Sequence, residues 1–334
     1  MAGPSTQAQM MQFILGFMPA QAIRAAAELE IADKLADGPK STTELARLTG
    51  GDAESIHRVL RALASIGVFA ERDGKYELTP LAEHLRRDSP ESVWPAAMYM
   101  VAEIYQAAEH LSTSVRTGEG NFRRVLGMNM FDYLAANPER GAIFDRMMKS
   151  FHGPETAAIV EAYDFSHIGD LVDVGGGNGD VLRAILAANP NTRGVLFDLA
   201  GVAERAQAAL AGDPVFGRMS FRSGDFFKDV ARGGDAYILR HIIHDWNDDE
   251  SVQILRCCRA AMGDGARLLV MEEVIPDGDT PSAAKWLDVC FLAMWSGKER
   301  TRADYEALYR RSGFKLTRVM PTSSPLSIIE GAPA

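Results

Sequence analysis

Residues 171–180 read Leu-Val-Asp-Val-Gly-Gly-Gly-Asn-Gly-Asp. This is a short apolar strand that runs into a glycine-dense turn and then opens an amphipathic helix from Val181 to Ala188. A turn this tight has no room for a Cβ and lets a ligand approach the backbone closely. The first helical N–H groups of such a turn face the anionic part of the ligand. The spacing narrows what that ligand is. A dinucleotide turn reads G-x-G-x-x-G, whereas Gly175, Gly177 and Gly179 give G-x-G-x-G with Asp180 following. Asp198 closes the next apolar strand, 23 positions beyond Gly175. A carboxylate at that distance accepts ribose hydroxyls. The pattern points to a nucleoside-containing cofactor without a pyrophosphate, and S-adenosylmethionine fits it best.

The rest of the C-terminal half alternates in the same way. Strands are expected at 170–174, 195–198, 219–222, 235–239 and 267–273, with helices between them. Phe314 to Val319 and Leu326 to Glu330 are expected to form a closing pair. That alternation is the signature of a doubly wound α/β domain. Ligands of such sheets bind at the carboxyl ends of strands, which places Arg240-His241-Ile242-Ile243-His244-Asp245-Trp246 beside the cofactor. An imidazole titrates near neutrality and, when positioned, takes a proton from a hydroxyl. His244 is the candidate general base, and His241, three residues earlier, reads as structural.

The N-terminal third has a different grammar. From Gln9 to about Arg87 the pattern is mostly helical, with a capped helix start at Ser41-Thr42-Thr43-Glu44 and an apolar-periodic run from Ile56 to Ile66. Two short alternating strands then flank Asp73-Gly74, a hairpin signal. Helix-turn-helix plus hairpin is a winged helix. DNA binding is the obvious reading, but the helix carrying Arg58 and Arg61 also carries Asp52 and Glu54, and the chain has a net charge of −10. Phosphate contacts need clustered Lys and Arg, so a nucleic-acid partner is not expected. A non-enzymatic winged-helix regulator that senses a ligand remains the alternative from another class.

The apolar segments Met10 to Met18 and Ala20 to Leu35 suit an interface of intertwined helices, and a homodimer is expected. From about Pro90 to Tyr163 the chain is helical and rich in methionine and aromatics, either an interdomain core or a flat apolar slot for an aromatic acceptor. Cys257, Cys258 and Cys290 have no metal or redox spacing, and no acidic or histidine cluster has ligand spacing, so no metal is expected. No run reaches the roughly 18 apolar residues of a membrane span, and no leader is evident. The expectation is a cytoplasmic protein without a membrane partner.

Six pieces fall in order along the chain: Asp173-Val174-Gly175-Gly176-Gly177-Asn178-Gly179, Phe197-Asp198-Leu199, Gly224-Asp225-Phe226-Phe227, His244-Asp245-Trp246, Glu272-Glu273 and Gly297-Lys298-Glu299-Arg300-Thr301. In these the chain resembles the plant caffeate/flavonoid type of S-adenosylmethionine-dependent O-methyltransferase and its bacterial relatives of secondary metabolism, over nearly its whole length. The resemblance implies a winged-helix-like dimerisation domain at 1–90, a helical linker contributing to the acceptor pocket at 91–163, and a Rossmann-like S-adenosylmethionine-binding domain at 164–334. It implies that Glu272 and Glu299 flank the base His244. It implies that Asp225, with the Gly224 and Phe226 backbone, meets adenine, and that Arg240 takes a cofactor-contacting position that is lysine in some plant members. Met148 is implied as a wall of the acceptor pocket. Asp288 either faces the acceptor or is a solvated helix acid. His152 stands where some plant members have a serine near the cofactor's carboxylate, and no role is assigned to it. The implied activity is metal-independent methylation of a phenolic hydroxyl, the alternatives being N-methylation, decarboxylation or hydroxylation on the same fold.

Overall fold

The computed structural model describes residues 5–334. Residues 1–4, at the start of the expected dimerisation segment, lie outside them. The chain divides into two compact units, Met1–Glu109 with Phe122–Phe151, and His110–Asn121 with His152–Ala334.

In the first unit, helix Thr42–Thr49 starts at a capping box in which Ser41 and Glu44 each satisfy the other's backbone N–H, and it ends on Gly50 in the left-handed region at φ 73°. Asp52 caps helix Ala53–Ser65 by accepting from the Ser55 N–H. Strands β1 (Phe69–Arg72) and β2 (Lys75–Leu78) pair antiparallel. Both turn residues between them have positive φ, Asp73 at 50° and Gly74 at 73°, as a turn matched to the strand twist requires. Leu45, Leu60, Leu63, Phe69 and Tyr76 are buried beneath this winged helix. The apolar leader differs from expectation. In place of one helix over Met10 to Met18, Thr6–Ile14 and Phe17–Glu28 are separated at Leu15 and Gly16, where a glycine gives the helix little to hold it. The second expected run breaks at Glu30, left-handed at φ 54°, before Ile31–Lys34. Phe13 is 80% exposed, and Met10, Ile14, Leu15, Phe17 and Met18 are exposed with it.

In the second unit, β3 (Asp170–Val174), β4 (Arg193–Asp198), β5 (Met219–Ser223), β6 (Ala236–Arg240) and β7 (Arg267–Ile275) are parallel, in the order β5-β4-β3-β6-β7. The short β8 (Arg300–Thr301) pairs with the end of β7. β9 (Phe314–Pro321) and β10 (Leu326–Pro333) follow, and β10 inserts antiparallel between β7 and β9. The order reverses between β3 and β6, which is the switch point where open α/β sheets bind ligands. Both faces of the sheet are covered. Val172, Tyr237 and Leu239 pack with helices Asp248–Ala261 and Arg302–Arg311 on one side. Leu171, Leu196 and Ile238 pack with Asp180–Ala188 and Ala200–Leu210 on the other. Among the described residues, no helix is long and apolar enough to cross a membrane.

Close approach between β4 and helix Asp180–Ala188 depends on Gly194, because a Cβ there would stand 2.6 Å from Leu182 Cδ1 and 3.0 Å from its Cγ. Leu182 is fully buried and has nowhere to retreat. Gly194→Ala is expected to destabilise the protein by about 1–3 kcal/mol. Gly212→Ala, where nothing lies within 4 Å, should be close to neutral. Denaturant melts of the two variants decide it, and equal midpoints would show that the helix has room to move.

Candidate active site

The crevice at the switch point is built from two turns. The first follows β3. Gly175, Gly177 and Gly179 all have positive φ, at 72°, 57° and 80°. A Cβ on Gly175 would come within 2.5 Å of Ile242 Cδ1, and one on Gly176 within 2.8 Å of Asp173 Oδ2. Asp173 is completely buried there, and burial pushes its carboxyl up to about 7 although Arg240 opposes the shift. Asp198, at the end of β4, accepts the Gly177 N–H on Oδ2 at 2.9 Å and the Leu199 N–H on Oδ1 at 2.7 Å. After β5, Gly224 donates its N–H to the Asp198 carbonyl at 2.9 Å. Asp225 accepts from the Phe227 N–H at 3.0 Å and pairs with Lys228. The Phe226 ring edge reaches to 3.6 Å from the Cβ position of Gly175, so an apolar ring face borders the glycine turn.

The second turn follows β6. His241 is left-handed at φ 54°, a conformation that costs a non-glycine residue about 1–3 kcal/mol and clusters at functional sites. Residues Ile243–Asp245 then form one tight helical turn. Glu272, fully buried in the C-terminal half of β7, accepts the N–H groups of Ile242, Ile243 and His244 on a single oxygen at 3.2, 2.6 and 3.1 Å. Its other oxygen accepts from the Tyr305 hydroxyl. Glu272 therefore holds the main chain of His244 and does not hydrogen-bond its ring. The ring belongs to Glu299, whose Oε1 lies 2.8 Å from His244 Nδ1. Segment 298–300 is stitched to the same turn. Lys298 N–H donates to the His244 carbonyl at 2.9 Å, and the fully buried Arg300 donates to the Ile243 and Trp246 carbonyls at 2.9 and 2.8 Å. Gly297 permits this, because a Cβ there would lie 2.4 Å from the His244 carbonyl oxygen. Asp288 accepts the Glu299 N–H at 3.0 Å, so it too acts on the scaffold.

Charge is distributed unevenly over three neighbouring imidazoles. Burial pushes His244 down, but the Glu299 hydrogen bond and the carboxylates of Asp245, Glu272 and Glu299 outweigh it and raise the ring to about 10. Glu299 is itself pushed up by burial, against its pairing with His244. One proton is held in this pair, and the surrounding acids keep it on the imidazole. The other two rings go the opposite way. Burial, then the neighbouring His241 and Arg240 charges, push His152 down to about 3. Burial and the His244 and Arg240 charges hold His241 well below its ordinary value. His152 stacks on His241 at 4.4 Å and 13°, and His241 Nε2 lies 2.9 Å from Glu155 Oε2. Arg240 turns its guanidinium to Thr156 Oγ1, the His152 carbonyl and Glu155 Oε2, at 2.8, 2.9 and 3.1 Å. Phe291 stands edge-on to the His244 ring at 5.0 Å. Glu273, next to Glu272, is half-buried, and burial with the charges of Glu299 and Glu155 raises it to about 7.

Most of the residues singled out from the sequence therefore meet at one crevice of the second unit: Gly175, Asp198, Gly224, Asp225, Phe226, Arg240, His244, Glu272, Asp288 and Glu299. Met148 belongs to the first unit, half-buried on helix Pro138–Ala162 beside the buried Met147. The sequence gives no sign of a role for Glu155 and leaves His152 unassigned and His241 structural. The only sequence trace of their association is the His-x-x-Glu spacing at 152–155 on a helix.

A nucleoside-type glycine crevice facing a carboxylate-held imidazole defines a methyltransferase-like α/β enzyme. Comparison with known proteins makes this specific. The O-methyltransferase domain family matches residues 108–315, and the O-methyltransferase dimerisation domain family matches 11–88. A phenazine O-methyltransferase of Lysobacter antibioticus is 42% identical, over 97% of this chain and 95% of that protein. An O-demethylpuromycin-O-methyltransferase of Streptomyces alboniger is 36% identical, over 98% of this chain and 89% of that protein. Among solved structures, an O-methyltransferase of neocarzinostatin biosynthesis, in complex with S-adenosylmethionine and 2-hydroxy-5-methyl naphthoic acid, matches with a TM-score of 0.83 at 32% identity, covering 95% of this chain and 96% of that one. The chain belongs to the S-adenosylmethionine-dependent O-methyltransferase family.

The residues present fit that cofactor. The glycine turn admits a ligand to the backbone, and each Asp198 oxygen keeps a lone pair for a ribose hydroxyl. Helix Asp180–Ala188 begins with the Asp180 carboxylate in its first turn, and its first N–H is taken by Asn178 Oδ1 at 3.2 Å. Negative charge there repels a pyrophosphate, as a nucleoside cofactor without one allows.

Removing the Glu299 charge tests the electrostatic reading directly. Glu299→Gln keeps an oxygen for Nδ1–H but loses the carboxylate, so the His244 titration should fall from about 10 by about one pH unit or more. Imidazole NMR of wild type and variant measures it. An unmoved titration would show that Glu299 does not hold the ring's proton.

Proposed function

We propose that this enzyme transfers the methyl group of S-adenosylmethionine to a hydroxyl of a phenolic, aromatic small molecule, without a metal, and that His244 is the general base. The observation that carries this reading is the Nδ1···Oε1 contact of 2.8 Å between His244 and Glu299. With Nδ1 committed to Glu299, Nε2 is the nitrogen left to receive a proton. An aromatic acceptor is supported by the Phe291 edge beside the imidazole and by the phenazine and naphthoic acid in the relatives' names.

When bound, S-adenosylmethionine supplies an electrophilic methyl on a sulfonium that leaves as a neutral thioether. What remains for the chain is alignment and proton removal. A phenol has a pKa of about 10, close to the value of about 10 to which the carboxylates raise His244. The raised value makes Nε2 a stronger proton acceptor than an ordinary imidazole at about 6.5. The raised value also sets the sign and window of the pH dependence. Below it the ring is protonated on both nitrogens and accepts nothing, so rate falls with falling pH, from a limb well above the usual imidazole range.

In this reading Asp198 holds the ribose, while Asp225, Gly224 and Phe226 border adenine. Glu272, Asp288 and Arg240 are positioning residues. The first two fix the turn of His244 and the segment of Glu299, and Arg240 fastens 152–156 to the end of β6.

A reciprocal pair of variants separates the two halves. His244→Gln should cut turnover by roughly 10²-fold or more and leave S-adenosylmethionine affinity near wild type. Asp198→Ala should weaken that affinity by about 1–3 kcal/mol, the cost of losing a charged acceptor. Rates with a phenolic panel, and calorimetry of the cofactor, measure both, and a chelator should leave the wild-type rate unchanged. A His244→Gln enzyme with a near-normal rate at the pH where the wild type is fastest removes the base assignment.

The family's dimerisation domain and the exposed Met10, Phe13, Ile14, Phe17 and Met18 further support a homodimer built on the first unit, since a contiguous apolar patch of this kind marks an interaction surface. Light scattering should read about twice the chain mass of 36.4 kDa. A monomer at micromolar concentration would refute it.

A further inference from the structure

Beside the base, a second constellation uses none of its atoms. His152 and Glu155 stand three residues apart on helix Pro138–Ala162, so the helix presents both on one face. His241 arrives from the end of β6, and its left-handed backbone at φ 54° turns the ring off the strand onto the other two. One donor atom from each of the three lies within 4.8 Å of the others.

We propose that His152, Glu155 and His241 form a binding site for a borderline transition-metal dication of the Zn²⁺, Co²⁺ or Ni²⁺ class, and that its occupancy inhibits the enzyme. Two imidazole nitrogens and one carboxylate oxygen are the donor set those ions prefer, whereas Mg²⁺ and Ca²⁺ seek oxygen alone. Ligands at about 2.0–2.2 Å from a tetrahedral metal are roughly 3.4 Å apart, so modest side-chain rotation closes the set. Both hydrogen bonds that Glu155 accepts, from Arg240 and His241, fall on Oε2, which leaves Oε1 for the metal. Coordination through His241 Nε2 exchanges its hydrogen bond to Glu155 for a metal bond, and the ring's proton sits on Nδ1. No proton is lost overall.

Arg240 sets the strength of the site. Its guanidinium opposes a dication but is held independently by Thr156 Oγ1 and the His152 carbonyl, at 2.8 and 2.9 Å. The carboxylate can turn to a metal without freeing Arg240, and the adjacent positive charge weakens the binding of a dication. Inhibition follows from place. The His241 and His244 ring centres are 5.1 Å apart, so a bound dication adds positive charge beside the base, in a crevice whose cofactor carries a sulfonium cation. The inhibition rests on the methyltransferase reading above, and the binding site does not.

Full-length protein titrated with Zn²⁺ by calorimetry, and with Co²⁺ by visible absorption, reads the site. One metal per chain is expected, with weak Co²⁺ bands of nitrogen and oxygen coordination. His152→Ala and Glu155→Gln should each weaken Zn²⁺ binding by at least about tenfold. Paramagnetic broadening of the His152 and His241 imidazole signals by Ni²⁺ gives the same answer in wild type, in case a variant fails to fold. A strong near-ultraviolet thiolate band, which would place the metal on Cys257 or Cys290, overturns the proposal. So does binding unchanged in both variants, broadening confined to other residues, or no binding at millimolar Zn²⁺. Zn²⁺ should also lower the methylation rate reversibly on chelation. Binding without any loss of rate overturns the inhibitory role alone.

Discussion

The site hangs on one buried carboxylate. Glu272 receives three consecutive backbone N–H groups on one oxygen and the Tyr305 hydroxyl on the other. A buried charge left uncompensated costs several kcal/mol, whereas hydrogen bonds to a charged group contribute about 1.5–3 kcal/mol each. The four bonds turn a liability into a clamp. They fix the turn after β6, and the turn in turn fixes where His244 points, where Lys298 and Arg300 attach and how close Glu299 comes. Remove the clamp and the turn after the strained His241 loses three of its main-chain hydrogen bonds.

Around that clamp the same side-chain type is put to opposite uses. Carboxylates on every side raise His244, while burial next to Arg240 lowers His152 and His241. Separating titratable groups in this way assigns them different chemistry within one crevice. His244 carries the charge, and the two neutral rings keep their lone pairs. Arg240 is central to the split, since it pairs with Glu155 and also bears on the buried Asp173. Its position at the strand end makes it a strut between β6 and residues 152–156, and its contacts lie on that side.

Glycine does comparable work where bulk would be fatal. Gly175 lets Ile242 close over the nucleotide turn, Gly176 leaves room for Asp173, and Gly297 lets the Glu299 segment touch the His244 carbonyl. Gly175 and Gly297 join elements that are distant in sequence, which is why a glycine motif read locally conveys only part of its purpose.

The local parts are legible in the chain alone. Short apolar runs specified the parallel strands and the cap at Ser41 specified its helix, because each depends on backbone geometry within a few residues, and G-x-G-x-G followed by Asp198 pointed to a nucleoside turn. Helix breaks at Leu15 and Glu30 escaped it, since a continuous apolar pattern does not reveal where a chain must bend. Tertiary structure decided what separate strand ends do together. Glu272 lies 28 positions and Glu299 55 positions from His244, and nothing in their spacing shows that one grips the main chain and the other the ring. The same holds for His152, Glu155 and His241, and for the raised His244: proximity and burial depend on the packed fold, and a charge's worth is fixed only once its neighbours and its distance from water are.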